Sequence, residues 1–186
     1  MEKIFQINGE ILDSYNMERA ELIDNAEYQK YYKEKSSVEH YRLLTHVSTK
    51  FEHETFLDVG TFKGCSALAL STNSTNKVYS FNLVEQKQLS LIPFNCEFIV
   101  DNVINGLYDD IILKSKIIFL DTLHDGVFEI QFLEYLKGLN YKGILILDDI
   151  KLNNEMVSFW NNIILPKEDI SHLGHATGTG VVYFNL

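Results

Sequence analysis

Residues 56–70 read FLDVGTFKGCSALAL: an apolar run through Asp58 and Val59, a turn holding Gly60 and Gly64, then a stretch of small and apolar helix formers. Glycine is needed where φ turns positive or where a ligand must approach the backbone closely, and a helix opening near Gly64 offers free N–H groups to an anionic group. The order Asp-x-Gly-x-x-x-Gly is not the Gly-x-Gly-x-x-Gly of dinucleotide folds, nor does it continue into the Gly-Lys-Ser/Thr of a phosphate-binding loop. Nicotinamide and ATP readings weaken accordingly. An ordinary tight turn would also use glycines here, so the stretch predicts strand, turn and helix, with a ligand-binding turn as the functional expectation.

The same rhythm continues downstream. TFLDV (55–59), KVYSFN (77–82), CEFIV (96–100), KIIFLD (116–121) and GILILDD (143–149) are short apolar runs set between helix-length segments. Such runs indicate parallel strands buried on both faces and joined by crossover helices. The last two runs, DISHLG (169–174) and GVVYF (180–184), are separated only by HATGT, too short for a crossover helix, and so predict an antiparallel hairpin at the sheet edge. The expected architecture is α/β: a doubly wound, Rossmann-like sheet of five parallel strands plus a C-terminal antiparallel hairpin. Upstream, residues 1–50 predict a helical N-terminal arm or lid, and residues 51–186 the sheet, within one domain spanning 1–186. Ser36-x-x-Glu39 has the pattern of a capping box opening an amphipathic helix that places Val38, Tyr41, Leu44 or Thr45, and Val47 or Ser48 near one face and leads into the core.

At 186 residues and 46% hydrophobic content, the chain suits one core of about 100–200 residues. Its formal net charge of −10 argues against nucleic acid, which attracts basic surfaces through counterion release. Cys65 and Cys96 have no Cys-x-x-Cys neighbour and read as free thiols of a reducing cytosol. Neither a signal-peptide core nor the roughly 18 uninterrupted apolar residues of a membrane span occurs, so a cytoplasmic protein is expected. A homo-oligomer is left open.

In an open parallel sheet, ligands bind outside the carboxyl ends of the strands, where Asp58, Asn82, Asp101, Asp121 and Asp148 all fall. If KIIFLD and GILILDD are neighbours, Asp121, Asp148 and Asp149 emerge close together and would raise one another's pKa unless a hard divalent cation such as Mg²⁺ joins them. His124, three residues beyond Asp121, could then serve as general base toward a metal-bound hydroxyl. The competing readings are ordinary: Asp149 or Asp125 could cap the following helix, and a loop histidine is often merely solvated. His172 and His175 in HLGHATGTG read as part of a Gly-rich hairpin turn, with a place on the active-site rim as the alternative.

The glycine turn resembles the first motif of class I S-adenosylmethionine-dependent methyltransferases, and the resemblance extends over about residues 38–186. It implies the seven-stranded methyltransferase fold, with Asp58, Gly60, Thr61, Gly64 and Ser66 around the methionine part of the cofactor. It places Asn82 where an acid usually holds the ribose hydroxyls, with Glu85 as a substitute, and Asp101 and Asn102 at the adenine. The Asp121-x-x-His124 pair followed by Asp148-Asp149 is similar to the metal-dependent, macrocin-type sugar O-methyltransferases. That similarity implies Asp121, Asp148 and Asp149 as Mg²⁺ ligands and Asp121 and His124 as the catalytic pair. The expected function is O-methylation of a sugar, glycan or other small vicinal diol. A catechol or phenol O-methyltransferase and a noncatalytic methyltransferase-like binding module are the alternatives.

Overall fold

The computed structural model describes residues 4–185. Residues 1–3 of the expected arm and residue 186 of the expected sheet unit lie outside them. Strands β1 (Thr55–Val59), β2 (Lys77–Asn82), β3 (Cys96–Val100), β4 (Ser115–Leu120), β5 (Gly143–Asp148), β6 (Lys167–Asp169) and β7 (Thr179–Phe184) form one sheet in the order β3-β2-β1-β4-β5-β7-β6. The first five are parallel, and β7 runs antiparallel to both β5 and β6. Strand order reverses between β1 and β4, the position at which α/β sheets open a ligand crevice.

Side chains alternate across the pleat, which divides the core in two. Phe56, Val78, Ile117, Phe119, Ile144 and Ile146 face the N-terminal helices α1 (Gly9–Asp13), α2 (Ala26–Lys33) and α3 (Tyr41–Thr49), together with α4 (Cys65–Leu70). Leu57, Val59, Ile118, Leu120, Leu145 and Leu147 face α5 (Asp109–Lys114), α6 (Val127–Gly138) and α7 (Asn154–Asn162). The arm is thus one of the layers: Phe5, Leu12, Met17, Ala20, Ile23 and Tyr32 are all buried in the first cluster. Cys65 and Cys96 are buried free thiols. No described helix is long and apolar enough to cross a membrane.

Three local expectations are corrected. The segment 83–95 between β2 and β3 contains no helix, so one of the four parallel crossovers is made by loop alone. The hairpin pairs Lys167–Asp169 with Val182, Val181 and Gly180, upstream of the predicted DISHLG run. Charged Lys167-Glu168-Asp169 is tolerated because β6 is a short edge strand, which frees residues 170–178 as a loop. Ser36 does not cap α3: its hydroxyl donates to the Gly9 carbonyl and its N–H to Asp13, while the helix starts at Tyr41 with His40 at its N-cap.

Candidate active site

The register explains why the acids meet. Leu120 pairs with Leu147 across β4 and β5, so Asp121 and Asp148, the next residue of each strand, leave level tips on the same face of the pleat. The ligand atoms of Asp121, His124 and Asp148 lie within 4.8 Å of one another. His124 Nε2 stands 3.2 Å from Asp121 Oδ1, and its Nδ1 3.6 Å from Asp149 Oδ2. Asp149 is set back from this trio: its Oδ1 accepts from the Thr177 hydroxyl and lies 2.9 Å from His175 Nδ1. Neither aspartate caps α7, which Asn153 does by accepting from the Met156 N–H; Asp125 accepts from the first N–H groups of α6.

His124 is held from behind. Its backbone is left-handed, φ 55°, and its N–H donates to Glu129 Oε1, which also accepts from Thr122. Its carbonyl accepts from Asn153 Nδ2. Glu129 and Asn153 have no motif spacing to the acids, so only the fold reveals that they position the imidazole. Asp149 is also left-handed, φ 58°.

Two further histidines join from distant parts of the chain. His40 Nδ1 lies 3.2 Å and His175 Nδ1 3.4 Å from Asp148 Oδ2. The loop freed by the displaced β6 is pinned beside β5 by Ile150 N–H to Gly178 O and Lys151 N–H to Thr177 O, and so carries His175 inward; His172 points outward and is exposed. As sequence, HLGHATGTG reads as a hairpin turn with His172 and His175 on the rim only as the alternative, and His40 carries no motif that would single it out.

Burial opposes charge throughout, but the acids outweigh it at the histidines. His40 is lifted to about 9 and His175 to about 11, burial pulling both down and Asp148 pushing both up. His124 is also raised, chiefly through Asp121 against the pull of burial. Burial lifts Asp121, whereas in Asp148 it is outweighed by His40 and His175, which hold this carboxyl well below the usual range. The cluster therefore balances its negative charge with protons, the role a divalent cation takes over when it binds carboxylates and imidazoles.

Beside it, a cavity of about 550 Å³ opens over the ends of β1–β4. Of the residues expected around a cofactor, Gly60, Asn82, Asp101 and Asn102 line it, as does Asp121. Asp58, Thr61 and Ser66 lie buried under the turn, and Ser80 joins the first two: its hydroxyl donates to Asp58 Oδ2 at 2.5 Å and meets Thr61 Oγ1 at 2.5 Å. Gly60, φ 108°, packs so tightly that a Cβ would fall 1.5 Å from the Asp121 carbonyl, and Gly64, φ 90°, is the N-cap of α4. Glu85 is exposed, paired with Lys87, and does not line the cavity. Asn82 Oδ1 accepts from the Leu83 N–H, and Asp101 Oδ2 from the Tyr108 hydroxyl.

This strand order, with the antiparallel β7 inserted between β5 and β6, is the fold of class I S-adenosylmethionine-dependent methyltransferases. Among solved structures, the chain is similar to the SAH-bound methyltransferase of Podospora anserina (TM-score 0.56, 13% identity, 78% of each chain covered). It is similar to the SAM-bound O-methyltransferase TomG of Streptomyces achromogenes, involved in tomaymycin synthesis (0.55, 13%, covering 78% of this chain and 79% of that one). A methyltransferase from Geobacter sulfurreducens gives 0.56 at 13% identity over 77% and 78%. No protein-family model and no curated protein matches the sequence.

Proposed function

We propose that the chain is an S-adenosylmethionine-dependent O-methyltransferase that requires a divalent cation and acts on a hydroxyl of a sugar, glycan or other small vicinal diol. The observation that carries this reading is the trio Asp121, His124 and Asp148, its ligand atoms within 4.8 Å, of which Asp121 also lines the cavity of about 550 Å³ beside it. Both groups fit the residues present. Asp148 Oδ1 is a buried acceptor without a hydrogen-bond partner, a cost that a bound cation would remove. Apolar walls from Phe62, Leu83, Val84 and Phe128, with polar Asn82 and Asp101, suit a nucleoside with a charged amino-acid tail.

S-adenosylmethionine would supply the methyl group, and Mg²⁺ or a similar cation the Lewis acidity that makes an alcohol hydroxyl acidic. Asp121, Asp148 and Asp149 would hold the cation. His124 would accept the hydroxyl proton on an imidazole nitrogen, its ring kept in place by Glu129 and Asn153. Asp58, Gly60, Thr61, Gly64 and Ser66 would form the floor under the methionine moiety, with Asn82, Asp101 and Asn102 at the nucleoside. The paired Asp148-Asp149 supports a sugar-like diol over a catechol.

Calorimetry with S-adenosylmethionine, followed by turnover assays on sugars and catechols, tests the proposal. Cofactor binding with metal-dependent methylation of a diol is expected, and His124→Ala should lower turnover by about 100-fold or more while cofactor affinity stays within error. Failure to bind the cofactor would leave a binding module. Loss of the cation in His124→Ala would make His124 a ligand and not the base.

A further inference from the structure

We propose that His40, His175 and Asp148 form a second cation site, rich in nitrogen, that selects a borderline transition ion such as Zn²⁺ or Co²⁺ and shares Asp148 with the oxygen-rich acid set. The ligand atoms of these three residues lie within 4.8 Å of one another, and the three come from the N-cap of α3, the tip of β5 and the β6–β7 loop.

Three observations carry the site. First, His40 is only 3% exposed; its Nε2 has no partner, and its Nδ1 faces Asp148 Oδ2 at 3.2 Å without hydrogen-bond geometry. An imidazole almost wholly withdrawn from water, with one nitrogen unpartnered and the other poorly aligned on its carboxylate, is costly; coordination removes that cost at the nitrogen facing Asp148. Second, the spacing suits an ion. His40 Nδ1 and His175 Nδ1 stand 3.2 and 3.4 Å from Asp148 Oδ2. Charge-assisted N–H···O⁻ bonds close to about 2.7–2.9 Å, whereas two ligands on one tetrahedral Zn²⁺ with bonds of about 2.0–2.1 Å are separated by about 3.3 Å. Third, a carboxylate stands behind His175: Glu39 Oε1 lies 3.9 Å from its Nε2, a charge contact that a small shift would close into the imidazole-carboxylate hydrogen bond that orients metal-ligating histidines. On the other side, Nδ1 lies 2.9 Å from both Asp149 Oδ1 and Thr177 Oγ1, so binding an ion there requires those two groups to give way. His175 is 24% exposed, which leaves an approach from solvent.

Imidazole ligands set the choice of metal. Mg²⁺ prefers oxygen and suits Asp121 and Asp149, whereas two imidazoles favour the later first-row ions and Zn²⁺. The site does not depend on methyl transfer and would persist in a chain that binds no S-adenosylmethionine.

The test is a Co²⁺ titration of the chelator-treated, full-length protein, followed by visible absorption and checked by competition. A one-to-one complex with the intense d–d bands of a low-coordinate nitrogen site is expected, displaced by Zn²⁺ but not by excess Mg²⁺. His40→Asn and His175→Gln should each weaken Co²⁺ binding by about tenfold or more and shift the bands; Asp121→Asn should leave the bands in place. If His40→Asn fails to fold, which circular dichroism shows, the half-buried His175→Gln decides alone. Absence of Co²⁺ binding, an unchanged spectrum in His175→Gln, or displacement by Mg²⁺ at matching concentrations would overturn the assignment. A cofactor titration on the same samples reads the methyltransferase proposal separately.

Discussion

Asp58 shows how one buried side chain links stability to ligand binding. It is fully buried, and burial pushes its carboxyl from 3.8 up to about 6, against the hydrogen bond from Ser80. A carboxyl whose folded pKa is raised binds its proton more tightly in the folded state, so its contribution to stability is complete below about pH 4 and is lost as pH rises through about 6. Asp58→Asn should remove that pH dependence. Relative to wild type, the variant should gain stability between pH 4 and pH 7, by up to about 3 kcal/mol, in paired urea denaturations, while cofactor affinity falls. A constant difference between the two proteins across that range would show that Asp58 does not titrate there. That Asp121 and His124 would stand together, and that Gly60 would sit in a tight turn, was legible because local spacing carries it. His40 and His175 were not, since their chemistry exists only where positions 40, 148 and 175 are folded together.

Among the elements, strands read well and their joints less so. The strands β1–β5 announce themselves as apolar runs because both sheet faces are buried. β6 does not, since an edge strand of Lys167-Glu168-Asp169 needs no hydrophobic residues, and its misplacement hid the loop that delivers His175. The capping-box pattern at Ser36 misled for a related reason: tertiary bonds to Gly9 and Asp13 outcompeted a local cap. Helix α7 offers a direct test of coupling between an element and the site. Asn153 both caps α7 and holds the His124 carbonyl. Asn153→Ala should cost about 1 kcal/mol of stability in thermal unfolding. It should also reduce turnover beyond what the lost stability explains, because His124 loses one of its supports. Turnover unchanged at a temperature where the variant is fully folded would separate the cap from the catalytic geometry.

For the whole molecule, the arm decides whether the sheet is a finished protein. Phe5, Leu12, Met17, Ala20, Ile23 and Tyr32 close one face of it, and each fully buried large apolar side chain is worth about 1.5–3 kcal/mol. Deleting residues 1–35 should leave the sheet insoluble or molten, seen as dye binding and loss of near-UV circular dichroism. A folded truncated protein would show instead that the arm can detach. Even the absence of a helix between β2 and β3 leaves the order and both core layers intact, which is why composition and periodicity sufficed for the architecture.

The positive φ at His124 and Asp149 has a consequence for descent. Both are side-chain-bearing residues in a backbone region that glycine occupies without penalty. A lineage without the proposed catalytic role would gain stability by drifting to glycine at either position. Related chains that retain the sheet but carry Gly at 124 and 149 should therefore lack the proposed methyl transfer, a loss that turnover assays on them would check.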